Sequence, residues 1–197
     1  PNTTEVFNII QSLKEGTRVV MVIDINVLSG PETYPLSKAC LTHLMRRPLR
    51  LVILTFDPQG TSFILRLFQE IAEVKNKNYG KDYVFLGYFP GEMPAIAAFA
   101  KDVKALIKAD YMGTPIEQLS IMDGIRSAAD FQLYFVITGH HHGDWHIGLI
   151  HSPYNVPTIL GGQNVNIPEL TNYYMSKQAI GMIAGQRATA EYELMNK

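Results

Sequence analysis

The sequence predicts an α/β fold: a doubly wound, mostly parallel sheet with helices on both faces, in three α/β/α layers. Apolar runs rich in Val, Ile, Phe and Tyr alternate with stretches of helical spacing, which is typical of buried parallel strands. Each run ends abruptly in a cluster of Gly, Pro, Asp, Asn or His. The five runs are Val19–Ile23, Leu51–Phe56, Tyr83–Phe89, Leu133–Thr138 and Thr158–Leu160.

Helix signals surround the first strand. Thr3 or Thr4 can begin a first helix that extends to about Lys14, because short polar side chains accept hydrogen bonds from the N–H groups of a first turn. Gly16 then stops that helix. Pro35 predicts the start of a second helix, since the missing N–H of proline is harmless in a first turn.

The later helices are predicted from similar signals. Thr61 or Ser62 caps a helix after the second strand, and an Ala-rich, strongly helical stretch over residues 94–107 follows the third. Residues 116–129 have a helical pattern before the fourth strand, and residues 144–151 form a short helix after it.

The last segment, Leu170–Met195, predicts a C-terminal helix with closely spaced small residues that include Gly181 and Gly185. Small residues let another helix approach closely. We expect this helix, within residues 170–197, to mediate self-association or bind a partner chain, or to lead to a membrane helix outside this chain. Leu at Gly181 and Gly185 should then leave the domain folded but weaken association.

Length and composition favour one domain over residues 1–197. A chain of 197 residues is long enough for one substantial core, and its regular alternation of strand and helix gives no reason to divide it. Cys40 is the only cysteine, so no intramolecular disulfide can form and a reducing compartment is compatible.

The charge balance argues against nucleic acid as a partner. The formal net charge is -1, so no global field attracts nucleic acid or an anionic membrane surface. Only 18% of the residues are charged, compared with about 25% in ordinary soluble domains. This shortage suggests that another subunit, a partner or a membrane segment covers part of the surface.

The strand ends predict the position of a ligand site. In an open parallel sheet, ligands bind in the crevice beyond the carboxyl ends of the strands, where all five polar clusters would lie. The ligand-binding candidates are therefore Asp24, Asn26, Asp57, Gly91, Glu92, Gly139, His140 and Gly161.

A histidine-rich cluster over residues 139–146 adds a metal hypothesis. His142 and His146 are four residues apart and would share one helix face, and imidazole and carboxylate bind zinc and similar divalent metals. The candidate metal ligands are Asp24, Asp57, His140, His142 and His146. Two alternatives stay open: an exposed polar loop that binds nothing specific, and one histidine acting as a general acid or base.

Several nucleotide and hydrolase motifs are absent from the sequence. Neither GxGxxG nor GxxxxGK[ST] follows the first strand, so the dinucleotide fingerprint and the P-loop are excluded. The DxDx[TV] spacing of phosphoaspartate enzymes and the GxSxG elbow are also missing.

Three segments resemble an uncharacterised family of membrane-tethered bacterial and archaeal α/β, Rossmann-like domains. They are residues 79–88, 95–102 and 185–193. The resemblance implies a place beside a membrane helix and no established reaction. We separately expect the cytoplasmic face of that membrane. Two functions are therefore expected from different classes. The first is a ligand- or partner-binding domain of a larger, membrane-associated assembly; the alternative is a metal-dependent hydrolase that uses the Asp and His residues at the strand ends.

Overall fold

The computed structural model describes residues 2–140 and 143–197. Within these residues, six strands form one sheet in which all neighbours are parallel. In chain order the strands are β1 (Arg18–Asp24), β2 (Arg50–Thr55), β3 (Tyr83–Tyr88), β4 (Leu133–Thr138), β5 (Thr158–Gly162) and β6 (Gly181–Ala184). Across the sheet the order is β3-β2-β1-β4-β5-β6, the doubly wound order, so the predicted α/β class is confirmed.

The connections between the strands are helical. The helices of the described residues are α1 (Asn2–Ser12), α2 (Gly30–Arg46), α3 (Gly60–Glu70), α4 (Glu92–Lys101), α5 (Val103–Leu106), α6 (Gly143–His146), α7 (Ser152–Tyr154), α8 (Ile167–Met175) and α9 (Gly185–Met195). A π-helical turn over Ile147–His151 joins α6 to α7. None of the helices in the described ranges is both long and apolar enough to cross a bilayer.

The sheet has an apolar core on each face because successive side chains of a strand point in opposite directions. Val20 and Val22 of β1 belong to one core, with side chains of α4, α5 and α8. Val19, Met21 and Ile23 belong to the other, with side chains of α1, α2, α3 and α9. Burial on both faces explains why the strand is a continuous apolar run.

A buried polar group joins three helices of the second core. The His43 ring of α2 lies with Nε2 2.9 Å from the Gln11 side-chain oxygen of α1 and Nδ1 2.8 Å from the Tyr192 hydroxyl of α9. Burial, with smaller contributions from Arg47 and Arg46, lowers the pKa of His43 to about 4. The ring is therefore neutral at neutral pH, so Nε2–H donates to Gln11 and Nδ1 accepts from Tyr192.

The expected helix over Leu170–Met195 is wrong, because β6 interrupts it. Met182 packs into one core and Ile183 into the other, which is strand periodicity. A Cβ added at Gly181 would meet Val6 of α1 at 3.0 Å, so the absence of a side chain at this glycine lets α1 lie against the sheet. Leu at this position would press against α1, so Leu substitution there tests the packing of α1 on the sheet as well as association.

Three other expected helices differ from the structure. Helix α2 begins at Gly30 and places Pro35 inside the helix rather than in its first turn. Residues 116–129 form short 3-10 turns separated by extended residues instead of one helix. The stretch over residues 94–107 is divided between α4 and α5, because Asp102 has an extended backbone and caps α5 by accepting a hydrogen bond from the Ala105 N–H.

Gly185→Ala tests the junction between β6 and α9. Gly185 has φ 82°, a left-handed conformation, and an added Cβ would collide with the side chain of Asn164. We expect the substitution to lower the free energy of unfolding by about 2 kcal/mol or more, measured by urea denaturation. Gly148→Ala is the matched control, because its added Cβ meets no atom within 4 Å. Equal stability of the two variants would contradict the strand-to-helix junction.

Candidate functional site

A crevice of about 460 Å³ opens beyond the carboxyl ends of β1, β2 and β4. This is the topological switch point of the sheet, because the chain leaves β1 toward β2 on one side and reaches β4 on the other. The polar residues that line the crevice are Asp24, Asn26, Asp57, Gln59, Glu92, His140 and His146. Its apolar and aromatic lining residues are Val27, Leu28, Phe56, Pro58, Ile96 and Trp145.

Asp24, the last residue of β1, has a buried carboxylate. Its Oδ1 atom accepts hydrogen bonds from the Phe56 N–H at 2.8 Å and the Thr55 hydroxyl at 3.0 Å. Its Oδ2 atom lies 4.0 Å from Nε2 of His146, which is longer than a hydrogen bond. Burial raises the pKa of Asp24 to about 6, and the nearby Asp57 charge adds to this rise against the two hydrogen bonds and His140.

Asp57 and His140 form a second polar pair above β2 and β4. The His140 Nε2 atom lies 2.8 Å from Oδ2 of Asp57 and 3.1 Å from the side-chain nitrogen of Asn26. The Asn26 amide is oriented by its oxygen, which accepts hydrogen bonds from the N–H groups of Leu28 and Ser29. An imidazole nitrogen either donates or accepts one hydrogen bond, so Nε2 cannot satisfy both neighbours at once. A proton on Nε2 is donated to the Asp57 carboxylate, and the Asn26 NH2 group then has no acceptor at this nitrogen.

Hydrogen bonds between loops hold these side chains in place. Asp57 Oδ1 accepts from the Gln59 N–H at 2.7 Å, an Asx turn that fixes the loop after β2. The Gln59 side-chain oxygen accepts from the Val27 N–H at 2.9 Å, which ties that loop to the loop after β1. The Thr138 hydroxyl accepts from the His140 N–H at 3.0 Å at the end of β4. The wall of the crevice is thus fixed by short-range bonds.

His146 enters the crevice from the floor. Its ring is buried, and Nδ1 lies 2.6 Å from the Tyr134 hydroxyl of β4. Burial, together with the Asp24 charge, raises the pKa of Tyr134 well above its ordinary value, so this hydroxyl keeps its proton and donates it to Nδ1. With Nδ1 as the acceptor, the ring proton of a neutral imidazole lies on Nε2, on the side of Asp24.

The structure brings most of the predicted ligand-binding residues together. Asp24, Asn26, Asp57, Glu92 and His140 all line the crevice, and so does His146 from the metal candidates. The two remaining residues of the histidine run, His141 and His142, lie outside the described residues.

The three predicted glycines lie outside the crevice lining. Gly91 precedes α4 with φ 117°, where its left-handed backbone makes a turn after β3. Gly139 donates its N–H to the Asp24 carbonyl oxygen at 3.1 Å, and a Cβ there would collide with Ser29. Gly161 lies inside β5, which extends to Gly162, and a Cβ would meet the Ile137 side chain at 2.8 Å.

Sequence reasoning missed several lining residues. The apolar run predicts Phe56 as the last residue of a strand, but Phe56 lies just beyond β2 and lines the crevice. Gln59 also lines it. Both lie within two positions of Asp57, so adjacency to a candidate carboxylate was an available signal. Trp145 of α6 lies next to the candidate His146, so the same signal was available for it, whereas Ile96 of α4 is not adjacent to a candidate with an ionisable side chain.

The predicted metal ligands share the crevice without forming a coordination set in the part of the chain that the structure covers. Across residues 2–140 and 143–197, no group of three or more His, Cys, Asp and Glu side chains is arranged to hold a metal ion. Asp57 already has hydrogen bonds with His140 and with a backbone N–H, and Asp24 Oδ1 already accepts two hydrogen bonds. Any contribution from His142 falls outside these ranges.

Comparison with known proteins adds no family to this picture. No protein family model matches the chain, and a comparison with curated proteins gives no match. The resemblance to membrane-tethered domains therefore has no support from these comparisons, whereas the α/β fold is shown by the sheet itself.

The pH dependence of stability tests the environment of Asp24. Its folded-state pKa is raised from 3.8 to about 6, so the folded protein binds this proton more tightly than the unfolded chain. As pH rises from about 4 to about 6, the free energy of unfolding should fall by about 3 kcal/mol on this account. In urea denaturation measured across this pH range, the Asp24→Asn variant should not show this fall in the free energy of unfolding.

Asp123→Asn is the matched control for this experiment. Asp123 is exposed, and its carbonyl oxygen accepts a hydrogen bond from Arg18 at the opposite end of β1, far from the crevice. This variant should keep the wild-type pH dependence. A wild-type slope in Asp24→Asn would show that another group titrates there.

Proposed function

We propose that this chain is a ligand-binding α/β domain whose crevice at the β1/β4 switch point takes a small molecule. One observation carries the proposal. The Asp24 carboxylate is only 5% exposed, yet its Oδ2 atom accepts no hydrogen bond from any residue in the described ranges and lies at the crevice. A donor on a bound ligand can reach this atom from the crevice, and the low dielectric around the buried carboxylate strengthens such a hydrogen bond.

The shape and rigidity of the crevice support the same function. Its volume of about 460 Å³ lies within the range of small-molecule sites, and it mixes apolar walls with a few converging polar groups. The loop-to-loop hydrogen bonds of Gln59 and Asp57 preorganise it, so little ordering is needed when a ligand binds.

A larger, membrane-associated assembly is the second part of the proposal. It rests on the low charged fraction of 18% and on large apolar side chains that are exposed, among them Leu28, Met112 and Met175. Such side chains suit contact with another chain when they are grouped. Light scattering over a concentration series and sedimentation with lipid vesicles address self-association and membrane attachment separately.

Ligand binding is tested with a chemically mixed fragment library. We expect some fragments to raise the thermal unfolding temperature of the wild-type chain and of Asp123→Asn, because both keep the crevice intact. Asp24→Asn should weaken those fragments by about tenfold or more in calorimetric titration, equivalent to about 1.4 kcal/mol. Fragments that bind the wild type and Asp24→Asn equally would place the ligand elsewhere, and no binding at all would refute the function.

A metal-dependent hydrolase is the second candidate, favoured by the Asp24 and Asp57 carboxylates and the two imidazoles that line one crevice. In that function Asp24, Asp57, His140 and either His142 or His146 would surround the ion, which would polarise the substrate and activate water. If it is correct, metal analysis of untagged, dialysed protein should find about one Zn²⁺ or similar ion per chain, and His140→Ala should lose it. Metal-free wild-type protein that gains no heat signal on Zn²⁺ or Mg²⁺ titration would exclude the candidate.

A further inference from the structure

The buried carboxylate of Asp24 sets the first requirement for a ligand. Its Oδ2 atom lies at the crevice without a hydrogen-bond donor among the described residues, since His146 Nε2 is 4.0 Å away, longer than a hydrogen bond. Hydrogen bonds with one ionised partner are about twice as strong as those between neutral groups, and a cationic donor adds Coulomb attraction to the carboxylate. A charged donor would therefore gain most at this atom.

The charge of the crevice sets the second requirement. Three carboxylates line it, those of Asp24, Asp57 and Glu92, and no Lys or Arg side chain is among the lining residues of the described chain. Asp57 is partnered by His140 at 2.8 Å, which leaves the charges of Asp24 and Glu92 without a basic lining residue of fixed charge. A crevice lined by one sign of charge attracts the opposite sign and repels anions such as phosphates and carboxylates.

The walls set the third requirement. Phe56 and Trp145 are aromatic lining residues, and Ile96 adds an aliphatic surface. Aromatic faces attract cations, Trp most strongly, and they also bury the apolar body of an organic ligand.

We propose that the crevice binds a small organic cation, with a protonated amine on Asp24 and an apolar body between Phe56 and Trp145. The inference rests on the proposed ligand-binding function and names its ligand class. A neutral alcohol can also donate to Oδ2, but it leaves the negative charge of the crevice unbalanced. A bare metal ion needs several ligands in a fixed geometry, whereas an ammonium group needs only nearby acceptors.

Two probes with one skeleton test the ligand class: benzylammonium and benzyl alcohol, titrated into the full chain with ligand-observed NMR. Near neutral pH we expect benzylammonium to bind about tenfold or more tightly than the alcohol. Asp24→Asn should remove most of the preference, and Asp123→Asn should keep it.

A second variant keeps the test independent of any folding defect. Glu92→Gln changes an exposed side chain at the rim and should reduce the preference for benzylammonium by a smaller factor than Asp24→Asn. Equal affinity for the two probes, or a preference that survives in Asp24→Asn, would overturn the inference of an ammonium ligand while other fragments still bind the crevice. Absence of crevice binding by every cationic, neutral and anionic fragment would instead overturn the proposed function, and this inference with it.

Discussion

The position of β1 between β2 and β4 is the constraint on which the rest of the structure depends. Because both neighbours are parallel to β1, the chain must cross over the sheet to reach each of them. One crossover leads from β1 to β2 on one side, and a later crossover leads from β3 back past β1 to β4 on the other side, so helices cover both faces and the loops at this end of the sheet diverge. The crevice is the space that this divergence leaves open.

Asp24 links this architecture to the chemistry of the crevice. Its Oδ1 atom holds the end of β2 through the Thr55 hydroxyl and the Phe56 N–H, so removing the side chain would loosen the sheet edge as well as the crevice. The same burial that makes these bonds strong also penalises the negative charge. A group with both properties favours a partner of opposite charge, because that partner relieves the penalty without breaking the structural bonds.

The central strands and the carboxylates at their ends were predictable from sequence, for one physical reason. Strands buried on both faces are continuous apolar runs, and parallel runs place their terminal residues at one edge, which brings Asp24, Asp57 and His140 together. Strand β6 was not predictable in this way. Its four residues include Gly181 and Ala184, and their small side chains suit a helical pattern equally well.

The parts of the site that sequence could not provide depend on tertiary packing. Trp145 reaches the crevice only because α6 lies over β4, and the bond from Gln59 to Val27 joins two loops that are 32 residues apart. Neither contact follows from a helix or strand pattern in the surrounding sequence. The extension of β5 to Gly162 is likewise set by pairing with β6 rather than by the apolar run, which ends at Leu160.

The hydrogen bonds that join His43 to α1 and α9 affect the order in which the chain folds. Tyr192 follows His43 by 149 residues, and the bond from the Arg18 N–H to Gln132 spans 114. Contacts at such separation form slowly, because a long loop must close at an entropic cost before packing stabilises the closed chain. During synthesis the part of α2 that contacts α9 therefore remains uncovered until α9 has been made. Chaperones that recognise exposed apolar surface would find it on that part of the nascent chain.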